Sequence, residues 1–276
     1  MRNLLIKVND KKDLKYPAFG YILGINNFSI GFGINYDVNK IKEIKEKFID
    51  KKIFVSLNKP IFNNELDMYK SILLKLDKLG LDGIIIGDIA ALTYNLNTNI
   101  ILDQMHLNNS YYTINHYFNN NVGGIMLTND ITKKEINEIK KNTSALLFKK
   151  VFGYTHLSSS NRKLISNYKE HFNKNDSSNS YLICEKNHNN YYKIYEDNFG
   201  THILSDKPIN LLNELDDLNV DYIIIDSFFI NENISDVINA YLNNDKSKYC
   251  EINKKYNSND GFINEETIYK VKKDEK

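Results

Sequence analysis

The sequence predicts an α/β fold, a (β/α) TIM-barrel-like sheet with a small β-hairpin insertion around 173–202. Three observations carry this. Short apolar runs rich in Ile and Val recur roughly every 20 to 30 residues through the first 150, the spacing of strands separated by helices. Several runs are apolar throughout, as suits strands buried on both faces of a parallel sheet. Three of them, in the stretch from Lys52 to Asn109, end in polar residues: Asn58, Asp88 and Asp103-Gln104. The carboxyl ends of such strands are where α/β folds place their ligands.

The elements follow in order. Leu4 to Val8 reads as a strand, and Pro17 to Gly24 as a second. Asn35 to Asp50 places Val38, Ile41, Ile44 and Phe48 on one helical face, with Asp37 as its cap. Phe54 to Asn58 is a strand. Glu65 to Leu79 is a helix with Leu66, Tyr69, Ile72, Leu73 and Leu76 inward, closed by Gly80. Strands at Ile84–Asp88, Asn99–Gln104, Gly124–Leu127 and Ala145–Gly153 alternate with helices at Ala90–Tyr94, Tyr111–Asn119 and Thr132–Lys141. After Gly153 the pattern breaks. Thr155 to Arg162 is polar, Leu164 to Phe172 is helical in pattern, and Asn173 to Ser180 is a loop by composition. Ser180–Cys184 and Tyr191–Tyr195 form the hairpin. A helix at Ile209–Leu218, a strand at Tyr222–Asp226 and a helix at Ile234–Leu242 complete one barrel-like domain over 1–253, with a polar tail over 254–276.

Composition narrows the function classes. The chain has 276 residues, 26% of them charged, and a net charge of +1, so no global field favours nucleic acid or membrane. Cys184 and Cys250 are far apart in sequence, short of the three or four ligands that a zinc or iron–sulfur site needs. Two lone thiols and the absence of a long apolar run point to a cytoplasmic protein. No HExxH, P-loop or GxSxG occurs. Asp88, Asp103 and Asp226 stand near strand ends, which makes a carboxylate-lined cleft a candidate, although Asn and Asp serve equally as caps and turn residues. Arg162 is one of two arginines in a chain that otherwise uses lysine. Bidentate recognition of carboxylate or phosphate is a reason to need one, and a structural salt bridge is another.

Six segments in order give the chain a family resemblance: Lys52–Leu66, Leu79–Leu92, Asn99–Asn109, Val151–Tyr168, Glu196–Ser205 and Val220–Asp226. It resembles the collagenase-like peptidases, the unassigned-type peptidase family 32, and within that family the shorter-subunit branch of the bacterial pairs that make 5-hydroxyuridine at the tRNA wobble position. That resemblance implies a TIM-like barrel, prephenate as a small-molecule ligand, a homologous longer subunit as heterodimer partner, and tRNA bound through the complex. It implies no iron–sulfur cluster in this chain. The matched polar positions are Asp88, Arg162 and Asp226 in catalytic roles and Asn58, Gln104 and Asn108 in substrate binding. The chain departs from the family pattern at Phe152, His156, Gly31, Asn129-Asp130 and Ile224, where the family carries His, Cys, Arg, Arg-Glu and Lys. A chain without these groups is expected to act as a partner, non-catalytic alone. A collagenase-like peptidase and a non-enzymatic RNA- or protein-binding barrel remain as alternatives.

Overall fold

The apolar runs pair with one another in chain order, and the last pairs with the first. In the computed structural model, which describes residues 3–103, 110–184, 186 and 190–265, the strands are β1 (Leu4–Lys7), β2 (Gly20–Ile25), a two-residue β3 (Asn35–Tyr36), β4 (Lys52–Leu57), β5 (Gly83–Ile86), β6 (Ile100–Leu102), β7 (Gly124–Met126), β8 (Leu146–Ser160), β9 (Ser180–Cys184), β10 (Tyr191–Asp197), β11 (Gly200–Asn210) and β12 (Tyr222–Asp226). The order β12-β1-β2-β4-β5-β6-β7-β8 is parallel at every step, and β12 pairs with β8 to close it. This is an eight-stranded parallel barrel. The helices α1 (Val38–Lys47), α2 (Leu66–Asp77), α3 (Tyr111–Phe118), α4 (Lys133–Lys141), α6 (Ser235–Asn243) and α7 (Tyr249–Tyr256) accompany the barrel, and α5 (Leu164–His171) lies outside it.

Local chemistry sets the helix starts. Asp37 accepts from Lys40 N, and Thr132 and Glu135 form a reciprocal capping box. Gly80 follows α2 with φ +63°, the left-handed turn a glycine takes without steric cost. Ile41, Ile44, Tyr69, Leu73, Leu76, Ile136 and Ile139 bury the inner helix faces.

Side-chain alternation along the strands divides the core in two. Leu4, Ile6, Ile223 and Ile225 face the helices. Leu5, Ile22, Phe54, Ile85, Ile101, Phe148 and Ile224 fill the barrel interior. Phe148 stacks on Tyr222 at 4.5 Å, and Phe54 meets Phe148 edge-on at 5.5 Å. The amino-terminal half of the barrel is therefore plugged.

Three expectations change. The insertion is larger than a hairpin over 173–202. The hairpin of β9 and β10 is present, but β8 runs on past Gly153 to Ser160, and β11 pairs antiparallel with it from Thr201↔Ser160 to Asn210↔Phe152. The polar stretch Thr155–Ser160 lacks an apolar pattern because none of its residues is fully buried; cross-strand pairing makes it a strand. Gly153 has φ +125°, and a Cβ there would stand 2.2 Å from the Asp226 carbonyl oxygen. Only glycine lets β8 bend past the end of β12. The helix expected at Ile209–Leu218 is instead the end of β11 and one 3-10 turn at Leu212–Glu214. The boundary at 253 falls inside α7. Tyr256 and Ile263 are buried, Asn210 N donates to Asn259 O at 2.6 Å, and Lys133 N donates to Ile263 O at 2.8 Å. Among the described residues, no helix is long and apolar enough to cross a membrane.

Candidate functional site

Counting two residues onward from the inward-facing apolar layer locates the site. Leu5 leads to Lys7, Phe54 to Ser56 and Asn58, Ile101 to Asp103, Met126 to Thr128, Phe148 to Lys150, and Ile224 to Asp226. All of these polar residues line one cavity of about 130 Å³ at the carboxyl-terminal mouth of the barrel. Its walls are completed by Ile30-Gly31-Phe32, Asn129-Asp130, Phe228 and the base of the antiparallel extension, Tyr154-Thr155-His156 with Leu204.

Asp226 is the centre of the cluster and is 2% exposed. Its Oδ2 lies 2.9 Å from Lys7 Nζ and 3.3 Å from Lys150 Nζ. Its Oδ1 accepts from Asn9 Nδ2 at 3.0 Å and from Phe228 N at 3.0 Å. Burial opposes its ionisation, but the two ammonium groups and these donors outweigh burial and bring its pKa down to about 2. Lys7 also sits below its ordinary value, because burial disfavours its charge more than Asp226 favours it. Lys7 Nζ donates to Gly31 O at 2.6 Å and lies 4.4 Å from the Phe32 ring centroid. Lys150 Nζ donates to Tyr154 O at 2.8 Å. Two cations share one carboxylate, and Asp103 and Asp130 add two further acids to the same wall, so the charge lining the cavity is mixed.

Lys149 takes the opposite face of β8. It is 1% exposed, and its Nζ donates to Thr128 O at 2.5 Å and Asn129 Oδ1 at 3.0 Å. Burial brings its pKa down to about 7. It ties the loop after β7 to β8 from beneath the cavity.

A second arrangement stands at the cavity edge. Ser159 Oγ lies 2.8 Å from His156 Nε2 and 2.6 Å from His202 Nδ1, and His202 Nε2 lies 3.2 Å from Asp197 Oδ1. With His202 Nε2–H donating to Asp197, Nδ1 is left to accept the Ser159 hydroxyl proton. Ser159 is exposed and His202 is buried.

The expected site residues separate on this frame. Asp226 and Asn58 line the cavity. Asn58 also clamps the Gly31 loop, accepting from Ile30 N at 2.8 Å and donating to Ile30 O at 3.2 Å. Asp88 does not line it; its carboxylate accepts from Ala90 N at 2.9 Å and Ile61 N at 3.2 Å, as a cap. Ile86 faces the helices, and Asp88 follows it by two. Arg162 is exposed at the far end of the extension and does not line the cavity. Gln104 and Asn108 lie outside the described residues. The cations Lys7 and Lys150 and the Ser159–His202–Asp197 set were not among the expected residues. Counting from the apolar layer finds the two lysines once the barrel shows which residues face inward; no local signal finds the Ser–His–Asp set, which three strands bring together. Among the described residues, no group of three or more His, Cys, Asp or Glu is placed to hold a metal ion.

Comparison with known proteins agrees with this architecture. Residues 18–269 match peptidase family U32. The chain is 30% identical over 193 residues to the tRNA hydroxylation protein P2 of Bacillus subtilis, a match taking in 66% of this chain and 62% of that protein. It thus spans less than two thirds of that relative's length. The solved U32 peptidase Mk0906 superposes with a TM-score of 0.51 at 12% identity, covering 82% of this chain and 92% of the other, which shows a common fold. With a matching family profile over most of its length and the same barrel, this chain belongs to peptidase family U32.

Proposed function

We propose that this chain takes part in the hydroxylation of tRNA uridine, as one subunit of a pair whose other member is a longer homologue. The observation that carries this reading is the 30% identity to tRNA hydroxylation protein P2. The site is consistent with it. A dicarboxylate such as prephenate presents the anions that Lys7 and Lys150 would take, and Asn58 holds the loop over them. The test is nucleoside mass spectrometry of tRNA from a strain lacking the gene. We expect 5-hydroxyuridine derivatives to disappear and wild type to restore them. Lys150→Met leaves Asp226 paired with Lys7, so the fold persists. It removes one charge-assisted contact to the ligand and should leave about tenfold less product at limiting expression. An unchanged nucleoside profile after deletion would sink the proposal.

A second reading, hydrolysis, is favoured by the Ser159–His202–Asp197 arrangement. In it, Ser159 Oγ adds to a carbonyl carbon while its proton passes to His202 Nδ1 and on to the leaving group, and water then releases the acyl group. A fluorophosphonate should label Ser159, with labelling about tenfold or more slower in His202→Ala. Intact-mass analysis showing no adduct on wild type would end this reading.

A further inference from the structure

The antiparallel extension carries a surface that the cavity does not use. Of the sixteen large apolar side chains exposed among the described residues, eight fall between Leu157 and Tyr191. Four of these are aromatic: Tyr168, Phe172, Tyr181 and Tyr191. Tyr168 and Phe172 are one turn apart on α5, with ring centroids 4.7 Å apart. Lys169 Nζ lies 5.4 Å over the Tyr181 ring and so joins α5 to β9. The platform is anchored, because the buried Glu196 carboxylate accepts from Ile165 N at 2.9 Å and Ser166 N at 3.2 Å in the first turn of α5.

The same stretch is basic. Residues 157–191 contain five Lys and Arg against three Asp and Glu, a net +2 where the whole chain carries +1. Arg162, Lys163 and Lys174 are exposed. Arg162 uses its main chain structurally, donating N–H to Ser160 Oγ and accepting from Thr201 Oγ1. Protein–protein interfaces deplete charge at their apolar core. Here cations are interleaved with solvent-facing rings, the composition of a single-strand nucleic-acid platform.

We propose that α5 and the face of β9 against it bind an unpaired stretch of RNA, with Tyr168, Phe172 and Tyr181 stacking on bases and Arg162, Lys163 and Lys174 meeting phosphates; Tyr191 points to the opposite face of the hairpin. This deepens the tRNA reading and rests on it for the identity of the RNA. The placement is apt: β8 and β11 carry the platform and also supply Tyr154, Thr155, His156 and Leu204 to the cavity wall.

The experiment is fluorescence anisotropy of the full chain with a labelled single-stranded RNA of about 12 nucleotides, within the site size of such platforms, and with a duplex of equal length. Wild type should prefer the single strand. Tyr168→Ala with Phe172→Ala should weaken binding by roughly tenfold or more, as loss of base stacking does. Arg162→Ala with Lys163→Ala should lower the slope of log affinity against log salt by about 1 to 1.5. All four side chains are exposed, so circular dichroism melts should match wild type. Absence of RNA binding by wild type, equal binding of duplex, or unchanged binding by the aromatic variant would overturn the proposal. So would a change in sedimentation of the aromatic variant with RNA affinity unaltered, which would make the face a protein interface. The functional reading fails separately: platform-dependent binding with unchanged tRNA nucleosides after gene deletion would sink that reading and leave the surface standing.

Discussion

Replacing Asp226 by alanine should cost about 3–5 kcal/mol of folding stability at pH 7, the usual penalty for leaving buried charge uncompensated. The carboxylate is the shared counter-ion of Lys7 at 2.9 Å and Lys150 at 3.3 Å, and it accepts from Asn9 and Phe228 N. Without it, two ammonium groups face each other in a closed barrel mouth. The cost should shrink as pH rises, because Lys7 is already held below its ordinary value by burial and can shed its proton. Asp226→Asn keeps an acceptor and should cost less. In wild type the carboxylate also contributes to acid stability, alongside other lowered carboxylates such as Asp82 and Glu196. Its folded pKa of about 2 lies below its unfolded value, so its contribution, on the order of 2 kcal/mol, is present above pH 4 and is lost as pH falls through 2. Urea unfolding of wild type and both variants at pH 3, 7 and 9.5 measures all of this. An Asp226→Ala protein as stable as wild type at pH 7 would show that the triad is not the ion cluster described.

Lys149→Met should make stability less dependent on pH at the alkaline end. Burial lowers the Lys149 pKa from its unfolded value to about 7. Between about 7 and 10.5 the unfolded chain therefore binds more protons than the folded one, and wild-type stability rises with pH. The slope from this one group is roughly 1.4 kcal/mol per pH unit in mid-window, and its integral is about 5 kcal/mol. The methionine variant lacks this rise. Buried tyrosines such as Tyr69 and Tyr195, whose folded pKa burial raises above the window and which ionise near about 10 only once unfolded, are common to both proteins. The difference between the two unfolding free energies thus isolates Lys149. Part of the gain in Lys149→Met is offset at every pH, because Thr128 O and Asn129 Oδ1 lose their donor. Parallel pH profiles for the two proteins would contradict the buried, hydrogen-bonded amine.

The barrel itself was legible because parallel strands buried on both faces need long apolar runs, and local capping chemistry marks helix ends. Tyr222–Asp226 and the cap at Asp37 stand where the sequence places them. The extension was harder. Thr155–Ser160 has no apolar alternation to betray a strand, and its pairing with β11 is a contact across more than 40 residues. Ile209–Leu218 has helical spacing, yet Ile209 and Asn210 are taken by β11, and the chain after them makes only a 3-10 turn at Leu212–Glu214.

The candidate site divides along the same line. Asp226 and Asn58 could be read from polar residues at strand ends, because strand ends of a parallel sheet share one rim. The sequence could not separate Asp226 from Asp88, since both follow an apolar run. The difference is one of register: Asp226 continues the inward-facing positions of its strand and meets two lysines, whereas Asp88 follows an outward-facing isoleucine and caps a turn. Lys7 and Lys150 were hidden by the abundance of lysine. Arg162 drew notice by its rarity, and the fold places it on the basic aromatic face of the extension, away from the cavity. What the sequence determined by itself was the periodic burial that closes the barrel, because apolar runs and caps are encoded locally. What only the tertiary structure decided was which charges meet, because electrostatic partners such as Lys7 and Asp226 are 219 residues apart and are brought within hydrogen-bonding distance only when the last strand pairs with the first.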